Sequence, residues 1–187
     1  MCCVTGKDGT QHPHMRKQIF LSHAWAKDAE GRDTHARARR LARALQNRGW
    51  ETWFDDDDMA DETGNVDAAM VSGIQGCVVF VPLLTSAYVQ RVNEASINPR
   101  VRRNCKKEWD FANVACKVML PVNFEPSLSH TQNHGVISLY TGSTLHVEGG
   151  GDDVEETASR LHTRLRRMGM EPRRRRLTPT VRTVFKC

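Results

Sequence analysis

The sequence lacks most of the short patterns that assign a function directly. It contains neither a G-x-G-x-x-G nor a Walker phosphate-binding pattern, so any nucleotide must be held by another geometry. A G-x-S-x-G elbow is also missing, which argues against a serine hydrolase of the α/β type. The six cysteines form no C-x-x-C pair. We therefore expect no zinc site and no disulfide framework, and a reducing, cytoplasmic compartment fits best.

Long hydrophobic runs are scarce as well. The longest, "CVVFVPLL" at residues 77–84, is too short to cross a bilayer, and no stretch near Met1 has the pattern of a signal peptide. The net charge of +5 is uneven, because ten of the 27 basic residues and only one acidic residue follow position 159. We expect this basic end to tune partners or solubility. The mildly acidic body gives no reason to expect nucleic acid or membrane as a partner.

Strand-like and helix-like patterns alternate nearly five times along the chain. The clearest helix is predicted for residues 33–49, with Asp33 as N-cap and Gly49 at its end. Its apolar residues Ala38, Leu41, Ala42 and Leu45 recur at i, i+3, i+4 and i+7. Asn65 and Asn104 are the predicted N-caps of two shorter helices. The predicted strands are 18–25, 50–56, 77–83, 117–124 and a weak 136–140, and the predicted helices are 33–49, 65–74, 104–116 and 152–169, with a further helix or turn at 85–92.

Such alternation predicts an α/β fold: a parallel five-stranded sheet covered by helices on both faces. We assign residues 1–17 to a disordered leader, 18–169 to the domain, and 170–187 to a basic C-terminal tail. Within the domain, residues 93–103 are predicted to form an irregular insert that contains Pro99. The apolar stripes of the helices predict that Val66, Cys116 and Met168 face the core.

Ligands of parallel sheets bind at the carboxyl ends of the strands. The loop from Ser22 to about Arg32 follows the first strand and should therefore border the site, with His23 or Trp25 able to stack on a ring. Asp55 to Asp58 end the second strand and could hold a divalent metal. A receiver-type metal site would also need an acid after the third strand, which "VPLLTS" does not supply. We therefore expect no metal there, and Asp55 to hydrogen-bond a ligand or a neighbouring backbone group.

Two helix residues are more ambiguous. Glu108 lies about one turn into its helix beside Lys106 and Lys107. Spacing alone allows either a solvated charge, favoured by the helix dipole and the lysines, or a catalytic carboxylate. Cys105 lies at the same helix start, a setting that lowers a thiol pKa. No base is placed beside it by spacing, so a nucleophilic role is not favoured.

The order of these segments resembles the TIR (Toll/interleukin-1 receptor) domain over residues 18–168. "IFLSHAW", "GWETWFD", "GIQGCVVFVPLLTSAYV" and "NCKKEWDFA" precede an apolar "VMLPV" strand. "FLSH" is similar to the first-strand box of the family. "TSAYV" followed by "NCKKEW" is similar to its S-x-x-Y and C-x-x-E segment, with Ser86 slightly off the usual spacing, and Cys105 and Glu108 in register.

The resemblance implies a flavodoxin-like sheet of order 2-1-3-4-5, with residues 55–65 as the BB loop. It also implies one of two functions: signalling by self-association or with other TIR proteins, or cleavage of NAD+ at the nicotinamide–ribose bond. The C-x-x-E glutamate is catalytic in the NAD-cleaving branch, which corresponds to Glu108 here. We therefore expect an NAD+ glycohydrolase that needs no cofactor besides its substrate. We expect Ser22, His23, Ala24, Trp25, Asp55, Ser86, Tyr88 and Cys105 to bind that substrate.

The sequence departs from this pattern at one position. Many NAD-cleaving TIR domains have a tryptophan before the cysteine of C-x-x-E, and here the residue is Asn104. Trp25 or Trp53 could supply a stacking face instead. The alternatives are a non-catalytic TIR adaptor, a nucleoside 2-deoxyribosyltransferase on a similar fold, and nucleic-acid processing through the arginine-rich tail. The last two predict, respectively, base exchange with NAD+ untouched and loss of activity on removal of residues 170–187.

Overall fold

We analysed a computed structural model of the chain, which describes residues 17–55, 65–98, 100–101, 103–128, 135–141, 146–149 and 151–173. Residues 1–16, the aspartates at 56–58 and the tail from 174 onward, for which the sequence carried predictions, lie outside the described residues. The leader, domain and tail boundaries therefore stay predictions. Among the helices of the described residues, none combines the length and apolarity that crossing a bilayer requires.

Within the described residues, six short strands form one sheet in which every pairing is parallel. The strands run in the order β2-β1-β3-β5-β6, and β4 also pairs with β3. β4 and β5 are the two halves of the single strand predicted at 117–124. They are separated at Pro121, which has no N–H to donate to a ladder. The predicted order 2-1-3-4-5 and the flavodoxin-like fold class are thereby confirmed. The strands are β1 (Ile19–Ser22), β2 (Thr52–Trp53), β3 (Val79–Leu84), β4 (Val118–Met119), β5 (Val122–Asn123) and β6 (Val147–Glu148).

Helices cover both faces of the sheet, as predicted. On one face α1 packs against α6, and on the other α4 packs against both α2 and α3. Side chains alternate along β1, so that Ile19 and Leu21 join the first layer and Phe20 joins the second. The helices are α1 (Thr34–Asn47), α2 (Val66–Gly76), α3 (Ser86–Ile97), α4 (Asn104–Val114), α5 (Ser138–Thr141) and α6 (Val154–Arg167).

Side-chain caps determine where four of these helices begin. Asp33 accepts a hydrogen bond from the Ala36 amide at 2.9 Å, and Asp153 caps α6 in the same way. Asn65 caps α2 and Thr85 caps α3. The prediction that Asn104 caps α4 is wrong: the N-cap is Arg103, without a side-chain cap bond. Asn104 is already helical, and its side chain lines a cavity instead.

Two predicted segments have a different structure. Residues 135–141, which contain the predicted weak fifth strand at 136–140, are helical, and the sheet edge is β6. Ile137 is fully buried while Leu139 is 82% exposed, a difference that a strand with period 2 does not produce. The predicted irregular insert is helical as far as Ile97, because no helix breaker occurs before Pro99. Pro99 favours an extended conformation at Asn98, where α3 ends.

Three residues predicted to face the core are at least partly exposed. Val66 is 38% and Met168 36% exposed, and Cys116 is also exposed, with a positive φ of 52° just beyond α4. All three lie at or beyond the end of a helix, where neighbouring turns no longer cover the apolar stripe. At the other end of the molecule, the Glu171 carbonyl accepts from the Gln18 side chain at 2.8 Å, and Arg173 pairs with Glu51.

Candidate functional site

A cavity of about 490 Å³ opens at the carboxyl edge of the sheet. Its walls come from the ends of β1 and β2, from α2 and α3, and from the first turns of α4. This is the position at which parallel α/β sheets bind ligands, and the volume suits a small molecule. The lining residues are Leu21, His23, Trp25, Trp53, Asp55, Met70, Arg91, Arg103, Asn104, Cys105 and Glu108.

Glu108 is half-buried in this cavity and is linked to β1. The Ser22 hydroxyl donates to Glu108 Oε2 at 2.5 Å, across 86 residues of sequence. The same hydroxyl oxygen lies 3.0 Å from the phenol oxygen of Tyr88. Because Ser22 donates its only hydroxyl proton to Glu108, the phenol of Tyr88 is the donor to the Ser22 oxygen. The relay from Tyr88 through Ser22 to Glu108 fixes the orientation of the carboxylate.

Burial is the main influence on the charge of Glu108. It raises the pKa of this carboxyl from its ordinary 4.5 to about 7. The Ser22 hydrogen bond opposes the rise, and the negative charge of Asp55 adds to it. The neighbouring lysines form ion pairs elsewhere, Lys106 with Asp110 and Lys107 with Asp67. Glu108 is therefore a carboxylate in a desolvated site, unlike the solvated charge that spacing alone allowed.

Cys105 lies beside Glu108 but is unsuited to nucleophilic chemistry. It is 4% exposed, and its thiol donates to the His23 carbonyl at 3.5 Å. Burial, assisted by the nearby charge of Glu108, raises the pKa of the thiol to about 12. The sequence suggested a lowered thiol pKa at a helix start. Desolvation outweighs that effect here, so the thiol keeps its proton at neutral pH.

The opposite wall of the cavity carries a cluster of aromatic rings and one carboxylate. Trp25 is 57% exposed. Its indole N–H donates to Asp55 Oδ2 at 2.6 Å, and its ring stacks on His35 with centroids 3.8 Å apart. The His23 and His35 rings meet at 2.7 Å, between Nε2 and Nδ1. Burial lowers the pKa of His23 to about 4 even though the charge of Asp55 opposes the shift. His23 is therefore neutral at pH 7.

Four of the eight predicted substrate-binding residues line this cavity: His23, Trp25, Asp55 and Cys105. The Ser22 side chain is buried, and its hydrogen bond to Glu108 links it to the cavity. Tyr88 is fully buried beneath it and reaches Glu108 only through Ser22. Ala24 is fully buried in the core. Ser86 lies elsewhere: its hydroxyl donates to Glu125 at 2.6 Å, and it borders a second cavity along α3. These contacts put Ser86 outside the cavity that Glu108 faces.

Sequence reasoning missed several residues that form or support the cavity. Arg91 and Arg103 line it, and Arg91 also donates to the Trp25 carbonyl at 2.8 Å. Arg91 lies in the middle of α3 and Arg103 is the N-cap of α4, and neither belongs to a short motif that could have indicated it.

The β1–α1 loop, which carries His23 and Trp25, has a buried anchor of its own. Arg37 is 2% exposed and donates to Asp28 at 2.8 Å and to the Phe124 carbonyl at 2.9 Å. Asp28 also accepts from the Arg32 backbone and side chain. This network connects the loop to Phe124, the residue that follows β5. It therefore holds the histidine and tryptophan side of the cavity in place.

The fold and the cavity define the class of protein: a parallel α/β domain with a ligand-sized cavity at the carboxyl edge of its sheet. Comparison with known proteins identifies the family. The family model described as "TIR domain" matches residues 19–148, so the chain belongs to the TIR domain family. The fold is similar to the crystal structure of the TIR domain of the Toll-related receptor TRR-2 from Hydra magnipapillata. That likeness has a TM-score of 0.53 and 14% identity, and covers 81% of this chain and 98% of that one. Among curated protein sequences, none matches this chain.

Proposed function

We propose that this TIR domain is an NAD+ glycohydrolase, which cleaves the nicotinamide–ribose bond with Glu108 as its catalytic carboxylate. The observation that carries the proposal is the position of Glu108: half-buried, oriented by Ser22, and facing a cavity of about 490 Å³. A glutamate kept only for helix stability would gain from solvent and from its lysine neighbours. Here the carboxyl is desolvated and both lysines pair with other acids.

The reaction needs only one carboxylate. When the bond between ribose C1′ and the nicotinamide nitrogen breaks, both electrons leave with the ring, which departs neutral and needs no proton. The ribose becomes an oxocarbenium ion, as in glycoside hydrolysis. Ionised Glu108 stabilises this positive charge and hydrogen-bonds the ribose hydroxyls. Water then attacks C1′ and releases a proton to solvent, giving ADP-ribose; attack by the adenine instead gives a cyclised product.

The rest of the cavity complements the other parts of NAD+. The exposed face of Trp25 is available to stack on a ring of the substrate, which addresses the missing tryptophan at position 104. Arg91 and Arg103 line the same cavity and supply positive charge for the pyrophosphate. We place the substrate with its nicotinamide ribose at Glu108 and its phosphates toward the arginines.

We further propose that self-association of TIR domains activates the enzyme, and that it works in the cytoplasm. The tryptophan at the cavity rim is 57% exposed, so a neighbouring domain docked there would cover the opening and exclude water from the site. The alternative function is a signalling adaptor that acts by the same association without chemistry. Asn104 in place of the usual tryptophan, together with the exposed rim, favours this alternative.

The deciding experiment measures NAD+ consumption and nicotinamide release by the purified chain over a range of protein concentrations. Glu108→Gln keeps the shape and the Ser22 hydrogen bond but removes the charge. We expect it to lose at least about 100-fold in rate, as when a group that stabilises transition-state charge is removed. Asp110→Asn is the matched control: an acid on the same helix, paired with Lys106 and outside the cavity.

The adaptor alternative gives a different set of results. The parent chain and the Glu108→Gln variant would both leave NAD+ intact while still self-associating at high concentration. Base exchange on deoxynucleosides with NAD+ untouched would instead favour the deoxyribosyltransferase alternative. Equal NAD+ cleavage by the parent and by folded Glu108→Gln would refute the role of the carboxylate.

A further inference from the structure

Three potential metal ligands meet on the Trp25 side of the cavity. His23 comes from the loop after β1, His35 from the first turn of α1, and Asp55 from the end of β2. One ligand atom from each lies within 4.8 Å of the other two. The His23 Nε2–His35 Nδ1 distance is 2.7 Å, and the carboxylate oxygens of Asp55 lie 3.7 Å and 3.9 Å from those same nitrogens.

We propose that His23, His35 and Asp55 form a binding site for a zinc ion. Two imidazole nitrogens and a carboxylate oxygen are ligands that Zn²⁺ accepts, and three protein ligands leave a fourth position for water. Tetrahedral ligands at zinc-binding distances are separated from each other by about 3.3 Å. The nitrogen–nitrogen separation of 2.7 Å is shorter than this, and each nitrogen lies slightly farther than this from a different oxygen of Asp55, at 3.7 Å and 3.9 Å. Small side-chain movements therefore suffice, with no change of backbone.

Hydrogen bonds around the cluster already orient the two rings. His23 also hydrogen-bonds to the backbone of Leu21, which directs its Nε2 toward the cluster. The Arg39 guanidinium lies 3.1 Å from His35 Nε2. A guanidinium only donates, so His35 carries its proton on Nδ1, directed at His23. Zinc binding requires that this proton move to Nε2 and that exposed Arg39 swing away, neither of which disturbs the core.

The ligands come from three separate elements, which predicts what zinc does to the fold. A bound ion would join the β1–α1 loop, the start of α1 and the end of β2, and would add its binding free energy to the stability of the native state. Such joining does not depend on NAD+ cleavage, so the site stands or falls separately from the proposed function.

The test titrates the full metal-free chain with Zn²⁺ by calorimetry and follows its thermal unfolding. We expect one zinc ion per chain and a rise in Tm. His35→Gln should weaken binding about tenfold or more and abolish the Tm rise, because one of three ligands is lost. The control is His146→Gln: His146 also lies beside a carboxylate, Glu148 at 2.8 Å, but belongs to no three-ligand cluster among the described residues. Unchanged zinc binding by His35→Gln would overturn the proposal.

A second measurement needs no variant and covers the case in which His35→Gln fails to fold. Co²⁺ takes the place of Zn²⁺, and its visible spectrum reports the ligand atoms. We expect the d–d bands of a site with nitrogen and oxygen ligands and no thiolate charge-transfer band. A strong thiolate band would place the metal on the cysteines and would equally overturn the proposal.

Discussion

The two faces of the sheet are built differently. On the α1/α6 face the core is mainly aliphatic, both helices have side-chain caps, and the two helices close directly on each other. On the α2/α3/α4 face the core is rich in aromatic and sulfur-containing side chains. There Phe20 stacks on Trp53 with centroids 4.2 Å apart, and α4 has no side-chain cap. The cavity and Glu108 belong to this second face.

The difference suggests a division: the α1/α6 face mainly stabilises the fold, and the α2/α3/α4 face carries the candidate site. The α1/α6 face contributes mainly apolar burial, and its buried charge, Arg37, is paired with Asp28 outside the cavity. The α2/α3/α4 face contains a desolvated carboxyl, a buried thiol and a buried tyrosine hydroxyl, whose pKa values are all raised by burial. Such groups cost folding free energy and are typical of functional sites. The following predictions test this division, beginning with the largest expected effect.

Truncation of the aliphatic face should cost stability and spare the site. Leu161 is fully buried on α6, and Leu161→Ala should lower the free energy of unfolding by about 2–5 kcal/mol through lost burial and a cavity. Urea denaturation measures the loss. The comparison variant Leu139→Ala, at a position 82% exposed, should change it by less than about 0.5 kcal/mol. The rate of NAD+ cleavage per folded molecule should be the same in the two variants. A lower rate in Leu161→Ala alone would contradict the division between a stabilising face and a functional face.

Removal of the site carboxyl should increase stability at alkaline pH. Glu108 has a pKa of about 7 in the folded chain against 4.5 ordinarily, so the native state holds its proton more tightly than the unfolded state does. The stability from this proton is complete below pH 4.5 and is lost as the pH rises through 7. Glu108→Gln avoids the loss and should be more stable than the parent by roughly 3 kcal/mol at pH 8.

The pH at which this gain disappears is the sharper part of the test. In urea denaturation the advantage of Glu108→Gln should shrink as the pH falls and be close to zero near pH 4.5. Asp110→Asn, on the exposed side of the same helix, should show no such trend. A constant difference between Glu108→Gln and the parent at all pH values would mean that burial does not raise the pKa of Glu108.

The proposed reaction should depend on the same ionisation. If ionised Glu108 is required, kcat/KM for NAD+ should rise about tenfold per pH unit below a pKa of about 7 and level off above it. The dependence of kcat should have a lower pKa, because the cationic nicotinamide of bound NAD+ favours the carboxylate. Steady-state kinetics between pH 5 and 9 measure both. A flat kcat/KM profile across pH 7 would remove Glu108 from the mechanism.

The smallest expected effect concerns the link between β1 and α4. Ser22→Ala removes the hydrogen bond that lowers the pKa of Glu108. The acid limb of kcat/KM should therefore move to higher pH, by about one to two units for a hydrogen bond to a charged group. Tyr88→Phe leaves the Ser22–Glu108 bond in place and should move the limb less. An identical profile for Ser22→Ala and the parent would show that Ser22 does not tune the carboxyl.

The two faces were also unequally predictable. Apart from Met168 at the end of α6, the stripes and caps of α1 and α6 predict both helices closely, because long amphipathic helices report their buried side through a regular period. On the other face the helices are shorter and less regular. Val66 and Cys116 were predicted to face inward and do not, and the helical extension of α3 to Ile97 was missed. Helix ends depend on contacts from distant elements, which local periodicity does not contain.

The sequence by itself determined the alternation of elements, and with it the parallel sheet and the TIR family. It also put Ser22 and Asp55 near one edge, because parallel strands end together. Only the tertiary structure decided that Ser22 donates to Glu108, that burial raises the pKa of that carboxyl, and that His35 joins His23 and Asp55. These properties depend on desolvation and on distances of a few ångströms between residues far apart in the chain, which only the folded arrangement specifies.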